Sequence, residues 1–527
     1  MNEPAPVTTA DPSESNSRAR KTAVSTTSLL AGAALAKLLL HLAGITHYGF
    51  FRDELYYMAC GEHLAWGYVD QPPFVALVAW FSRHFLGNSL FSYRLLPVLA
   101  GAGVVCLTGL FARDLGGGRS AQFLACIGIL FAPAYLAFDS FLSMNAFEPL
   151  FWLVCAWLVL RIAQGASPRL WLLFGVVAGI GLENKHTMLV FGFALVAGLL
   201  LSGEQRLFRS KWIWIGAVVA LAIFLPNLLW EAHHGWPQIE VVRNAQQFKN
   251  VRIGPALFLL DHILFLNPIA LPLWLAGLVW YFFSEEGKRF RFFGFAYLIV
   301  VGVFIALDGK SYYPIPVYPI LIAAGGVAFE KFAGIPSRRW LQIAFPALLV
   351  IAGLATVPFG VPLLPVGAFL RYANLIPIAQ YAQTEQDATV ALPQLYADMI
   401  GWQNTAEIIS RVYHYLPKSE QPDCAILTGN YGEAGAIDYY GPALGLPKAI
   451  SGHNSYFYWG PRNYSGGCVI LFGDRAEELK NLFGDVRQVA KISNPLSMPI
   501  ERQMPVYLCR KPSAPLAVLW PNFKMII

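Results

Sequence analysis

The stretch SLLAGAALAKLLLHLAGITHYGFFRDELYYMACGEHLAWGYVDQPPFVALVAWF, residues 28–81, changes character twice. Its first part, 28–45, is an apolar run near the roughly 20 residues that cross a bilayer. It exceeds a typical signal-peptide core and no small-residue cleavage pattern follows, so it reads as a retained first span. The chain then opens into a loop, residues 46–92, that carries aromatics, carboxylates and a Pro-Pro turn, and whose later part suits an amphipathic helix on a membrane surface. A carboxylate at the bilayer edge is costly to desolvate. Asp53 and Glu54 therefore call for a use: taking a proton from a hydroxyl, holding a cation, or pairing with Arg52. The plainer reading is a solvated loop acid, and for Asp70, before Gln-Pro-Pro, a turn former.

Outward from this stretch the chain is membrane-like throughout. Of 527 residues 56% are hydrophobic and only 13% charged, against about 25% in soluble domains. Further apolar segments lie near 93–112, 121–137, 146–160, 170–182, 188–201, 212–230, 256–283, 292–307, 314–329 and 341–358. With the first they make about eleven spans. The net charge of +6 does not indicate a nucleic-acid partner, because the cations cluster in every second loop: Arg113 and Arg119, Arg161 and Arg169, Arg206 to Lys211, Lys288 to Arg291, and Lys331 to Arg339. By the positive-inside rule those loops and the N-terminus are cytoplasmic. Residues 1–27, rich in Ser, Thr, Pro and Ala, read as a disordered cytoplasmic tail, and 28–360 as an all-α polytopic membrane domain. From 361 to 527 short apolar stretches alternate with Gly and Asn turns, as in a small α/β domain on the extracytoplasmic side. That side leaves room for one disulfide among Cys424, Cys468 and Cys509.

The opposite loops hold the candidate chemistry. FDSFLSMNAFEPLFW, residues 138–152, places Asp139, Asn145 and Glu148 together, although Glu148 also suits a helix cap. GLENKHTM, residues 181–188, lies between two short apolar segments, as a polar break lining a cavity would. It carries Lys185 and His186, and DGKSYYPIPVYP, residues 308–319, carries Lys310, Tyr312 and Tyr313. Outer-side lysines run against the topological bias, so an anionic ligand such as a phosphate would account for them. The alternative is pairing with Glu183 and Asp308. No CxxC pair, HExxH, Walker loop, dinucleotide fingerprint or GxSxG elbow occurs, so metal ligation, nucleotide-driven transport and serine hydrolysis have no motif behind them.

With those residues in view, the chain resembles the GT-C membrane glycosyltransferases, in the bacterial branch similar to dolichyl-phosphate-mannose protein mannosyltransferases and lipid A aminoarabinose transferases. The most specific piece is FRDELYYMACGEHLAWGYVDQPPFVAL, residues 51–77, followed by GLENKHTM and GKSYYPIPVYPILIAAGG, and more loosely by NYGEAGAIDYYGPALGLPKAISGHNSYFYWG, residues 430–460. The resemblance implies an inverting transfer of a sugar from a polyprenyl-phosphate donor to an envelope lipid, glycan or protein at the outer face of the cytoplasmic membrane. It makes Asp53 the general base, with Glu54 orienting it or the acceptor. Lys310, Lys185, His186, Tyr313 and Arg52 would bind the donor phosphate. Tyr56, Tyr57, His63, Asp70, Asp139, Asn145 and Glu148 would contact acceptor or sugar. Many relatives have an Asp in the second loop where Asn145 stands here, so no metal site is carried over and no cofactor is expected to be required. A transporter or flippase of lipid-linked sugars is the rival reading, since it too would use a broken helix pair and a phosphate-binding cavity.

Overall fold

The computed structural model describes residues 12–248, 250, 252–376 and 392–527. The first helix, α1 (Pro12–Leu42), starts inside the segment expected as a tail. The first outer loop forms α2 (Arg52–Glu62) and α3 (Phe74–Phe81). The membrane domain continues with α4 (Leu90–Asp114), α5 (Arg119–Leu130), α6 (Pro133–Phe138), α7 (Met144–Ala163), α8 (Leu170–Asn184), α9 (Thr187–Leu201) and α10 (Lys211–His233). It closes with α11 (Pro237–Phe248), α12 (Pro255–Phe265), α13 (Leu271–Phe283), α14 (Arg291–Ala306), α15 (Tyr318–Ala333), α16 (Leu341–Gly360) and α17 (Val366–Ala373).

Every apolar segment read from the sequence is helical, but the expected count of about eleven spans is not reached. Among the described residues six helices are long and apolar enough to cross a membrane, or seven if α12 and α13, bent by 102°, count as one span. The shortfall has local causes. Pro133 separates α5 from α6, since a proline removes a ladder donor and clashes with the preceding turn. Lys185 leaves the helical conformation (φ −161°, ψ 133°) and splits α8 from α9 at the expected polar break. Asn267, with φ 68°, turns the chain between α12 and α13. The chain is a multi-pass membrane protein whose outer helices still face lipid: α10 exposes Val218, Leu221 and Leu229, and α16 exposes Ile343, Ile351 and Leu354. Inside the bundle α15 is buried from Tyr318 to Val327, and Trp152 of α7 stacks on Phe191 of α9 at 4.5 Å.

The C-terminal region is the expected α/β unit: α18 (Gln394–Ala397), α19 (Trp402–Tyr415), β1 (Cys424–Thr428), α20 (Tyr431–Tyr440), β2 (Ile450–Ser451), α21 (Ser455–Trp459), β3 (Cys468–Phe472), β4 (Phe483–Ser493) and β5 (Gln503–Pro512). The sheet runs β2-β1-β3-β5-β4, with β1 parallel to β2 and β3, and β5 antiparallel to β3 and β4. Strands β1 and β3 are buried along their whole length, as parallel neighbours covered on both faces should be. Their alternate residues divide between two cores. Ala425, Leu427, Val469 and Leu471 face one, while Ile426, Ile470 and Phe472 join a core shared with Leu55, Met58, Val75 and Ala79 of the first outer loop. Gly435 permits that docking, because a Cβ there would lie 2.8 Å from the Leu55 carbonyl.

Cys424 and Cys468, register partners on β1 and β3, form a disulfide, and Cys509 is a buried free thiol. The bond closes a loop with a sequence separation of 44, for which the chain-entropy account gives about 4 kcal/mol. Replacing both cysteines by serine is expected to lower the unfolding temperature of the full-length protein, and reductant is expected to do the same to the unmodified chain, as measured by thermal denaturation in detergent.

Candidate active site

Asp53 and Glu54 are adjacent in sequence and meet different surroundings. Both lie in the first turn of α2, where carboxylates complement the helix dipole. Glu54 turns back: Phe51 N donates to its Oε2 at 2.8 Å, closing the helix start. Arg94 of α4 then grips it from two directions, Nε to Oε1 at 3.1 Å and Nη2 to Oε2 at 2.8 Å, and Leu142 N donates to Oε1 at 2.9 Å. Both side chains are fully buried. The remaining Arg94 donors hold the carbonyls of Ile45, His47 and Gly49 at 3.2, 3.4 and 2.7 Å. Glu54, expected to orient Asp53 or the acceptor, is held by protein donors on both oxygens. Its oxygens are occupied, and it ties the first outer loop to α4 and to the second loop.

Asp53 keeps 30% of its side chain accessible. Its Oδ1 accepts a 2.8 Å hydrogen bond from the Tyr431 hydroxyl of α20 and lies 3.9 Å from Arg52 Nε. Arg52 points toward the C-terminal domain, with Nη1 3.8 Å from Asp398 Oδ1 and its guanidinium 5.9 Å from the Tyr431 ring. Arg52, expected to bind the donor phosphate, thus has a carboxylate of the soluble domain beside its guanidinium. Tyr56 donates to Asp70 Oδ1 at 2.8 Å, its oxygen lies 2.7 Å from Ser455 Oγ, and its ring stacks on Tyr431 at 4.7 Å. Asp70 and Tyr56 accordingly join the loop to α21. His63 is exposed at the far end of α2, stacked on Trp459 at 4.4 Å, and belongs to the domain contact.

The outer lysines meet the second loop. Lys185 Nζ donates to Asn145 Oδ1 at 2.8 Å and to Glu148 Oε2 at 2.9 Å, and sits 4.6 Å from the Tyr313 ring centroid and 5.7 Å from that of Tyr312. Thr187 Oγ1 donates to the other Glu148 oxygen. The partner of Lys185 is thus Glu148, not Glu183, whose carboxyl is buried without a hydrogen bond among the described residues. Asn145 and Glu148, expected to contact acceptor or sugar, both hold Lys185. Lys310, half-buried, lies 5.9 Å from the Tyr312 ring. Two lysines and two tyrosines thus form one wall. Tyr57 is buried, and burial raises its pKa well above the ordinary phenol value, with Asp53, Asp70, Tyr431 and Tyr312 adding to the rise. Burial likewise raises Tyr313. Both phenols are neutral donors at physiological pH, suited to anionic oxygens.

Two candidates fall outside this site. Asp139 is buried against Lys37 of α1, Oδ2 to Nζ at 2.7 Å, and touches no open space. It neutralises an ammonium inside the bundle, which hydrocarbon demands. His186 Nε2 donates to Asn227 Oδ1 at 3.0 Å, and Asn227 Nδ2 donates to the Trp66 carbonyl at 2.9 Å. The histidine therefore fastens the broken helix pair to α10 and the first loop. No three His, Cys, Asp or Glu are grouped to hold a metal ion among the described residues. Sequence reasoning missed Arg94, Lys37 and Tyr431. A lysine within an apolar run is the one signal that was there to read.

Comparisons with known proteins agree with this arrangement at the level of family and fold. The model of the dolichyl-phosphate-mannose-protein mannosyltransferase family matches residues 70–230, from within the 46–92 loop to the last turn of α10. The structure of ArnT from Cupriavidus metallidurans bound to undecaprenyl phosphate superposes with a TM-score of 0.60 at 16% identity, over 91% of this chain and 97% of that one. Its apo form gives 0.59 at 16% identity, over 92% and 98%. The arabinofuranosyltransferase AftD from Mycobacteria gives 0.50 at 15% identity, over 91% of this chain and 40% of its own length. No curated protein matches the sequence. The family match and the shared fold bear out the resemblance to membrane glycosyltransferases and, with it, the reading of the chain as an enzyme.

Proposed function

We propose that the chain transfers a sugar from a polyprenyl-phosphate donor to an envelope lipid, glycan or protein on the outer face of the cytoplasmic membrane, with inversion at the anomeric carbon. The observation that carries this reading is the pairing of Asp53, a carboxylate with 30% of its side chain accessible, with a wall of Lys185, Lys310, Tyr312 and Tyr313. An acceptor hydroxyl attacks the anomeric carbon and gives its proton to Asp53. The new bond forms from the acceptor oxygen as the bond from the anomeric carbon to the phosphate oxygen breaks, and that electron pair leaves with the polyprenyl phosphate. The wall of lysines and phenols neutralises the charge that develops there. Lys185 is held ready by Glu148, Asn145 and the tyrosine rings, so little reorganisation accompanies donor binding.

The orientation follows from the same elements. The N-terminus faces the cytoplasm and the C-terminal domain the outside, in keeping with the alternating basic loops and with a disulfide that an oxidising compartment preserves. Mass spectrometry of envelope lipids and glycans from cells lacking this protein tests the proposal. Loss of one sugar substituent, restored by the unmodified gene, is the expected result. An unchanged envelope profile across growth conditions would overturn it.

A further inference from the structure

Tyr431 is the residue through which the C-terminal domain reaches the candidate base, 378 positions along the chain. Its position is set locally. Asn430 Oδ1 accepts from Glu433 N at 3.0 Å, while Glu433 Oε2 accepts from Asn430 N at 3.1 Å, a reciprocal cap that starts α20 at Tyr431. The ring lies between Tyr56, at 4.7 Å, and His453, at 4.5 Å, and the residue is 5% exposed. Gly435, one turn on, brings the helix against the α2 backbone. The outcome is a buried phenol whose hydroxyl hydrogen points at Asp53 Oδ1, 2.8 Å away.

We propose that Tyr431 is a positioning residue for sugar transfer: by donating to Asp53 Oδ1 it fixes the carboxylate so that the other oxygen meets the acceptor hydroxyl, and the site is complete only with the C-terminal domain seated on α2. This inference rests on the reading of Asp53 as the base. A tyrosine suits the task because it orients an anion without adding a charge that would cancel its basicity. Packing alone would require only a ring, and a phenylalanine would supply that. The hydroxyl is what the proposal assigns.

The test compares Tyr431→Phe, Asp53→Asn and the unmodified full-length protein, each added to membranes from cells lacking it, so that the membranes' own polyprenyl-phosphate sugars and acceptors are the probe. Initial rates of product formation are followed by mass spectrometry from acid to alkaline pH. Tyr431→Phe keeps both ring contacts, so its thermal stability is expected to match the unmodified protein. Its rate is expected to fall about tenfold through lost orientation. Added to Asp53→Asn, the same substitution is expected to cost nothing further in the residual rate, because the hydroxyl acts only through that carboxylate. A Tyr431→Phe rate equal to that of the unmodified protein, or a further fall when it is added to Asp53→Asn, would overturn the positioning role and leave the proposed transfer reaction standing. A fully active Asp53→Asn would remove the base and this inference with it.

Discussion

Asp53→Asn is expected to slow sugar transfer by about 10²- to 10⁴-fold while leaving the amount of folded protein unchanged. The substitution is nearly isosteric, and the amide oxygen can still accept from Tyr431, so the contact between α2 and α20 survives. What disappears is a group able to take the acceptor's proton. Asp53 is the suitable residue for this experiment because it has access to solvent on one side and a fixed hydrogen bond on the other. A transporter of lipid-linked sugars would not need a base here. Initial rates in membranes from cells lacking the protein decide the matter, and transfer at the unmodified rate, at equal expression, would eliminate both the base and the mechanism built on it.

Glu54→Gln is expected to act on stability, and through stability on everything else. The Glu54–Arg94 pair is fully buried, so removing one charge leaves the other without compensation, a loss of about 3–5 kcal/mol. Arg94 also holds three carbonyls of the segment leading into α2 and would lose the partner that holds it in place. The expected result is a markedly lower unfolding temperature in detergent and a smaller folded yield. The double variant Glu54→Gln/Arg94→Met should recover part of the loss, since the uncompensated guanidinium is then gone, and a double-mutant cycle measures the coupling. An unchanged unfolding temperature in Glu54→Gln would show that the pair does not hold the loop.

These two neighbouring acids mark how far the sequence could be read. The acidic pair, the aromatic loop and the two outer lysines all stood out locally, because each violates a rule of composition or topology that holds elsewhere in the chain. Which acid does what did not. Successive helical residues project about 100° apart, so Asp53 and Glu54 enter different surroundings, and those surroundings come from α20, α4 and the second loop. Lys185 was legible as a cation at a polar break between apolar segments, whereas its partner was not: Glu183 is two residues away, yet Glu148, 37 residues away, holds it. Asp139 looked like a site residue because it borders the second loop. Lys37, an ammonium in an apolar run, was the clue to its actual use.

The count of about eleven spans is not confirmed, for a related reason. Hydropathy registers that a segment is apolar, while breaks at Pro133, Lys185 and Asn267 decide whether it is one long helix or two short ones, and that depends on what neighbouring elements satisfy at the break. Membrane residence and the α/β character of the C-terminal region could be read from the linear chain, since hydrophobicity and its patterning accumulate residue by residue. The buried Glu54–Arg94 tie, the support of Lys185 by Glu148 and the approach of Tyr431 to Asp53 could not. Each joins positions 37 to 378 residues apart, and such pairs exist only after packing has closed the intervening chain and excluded water from the contact.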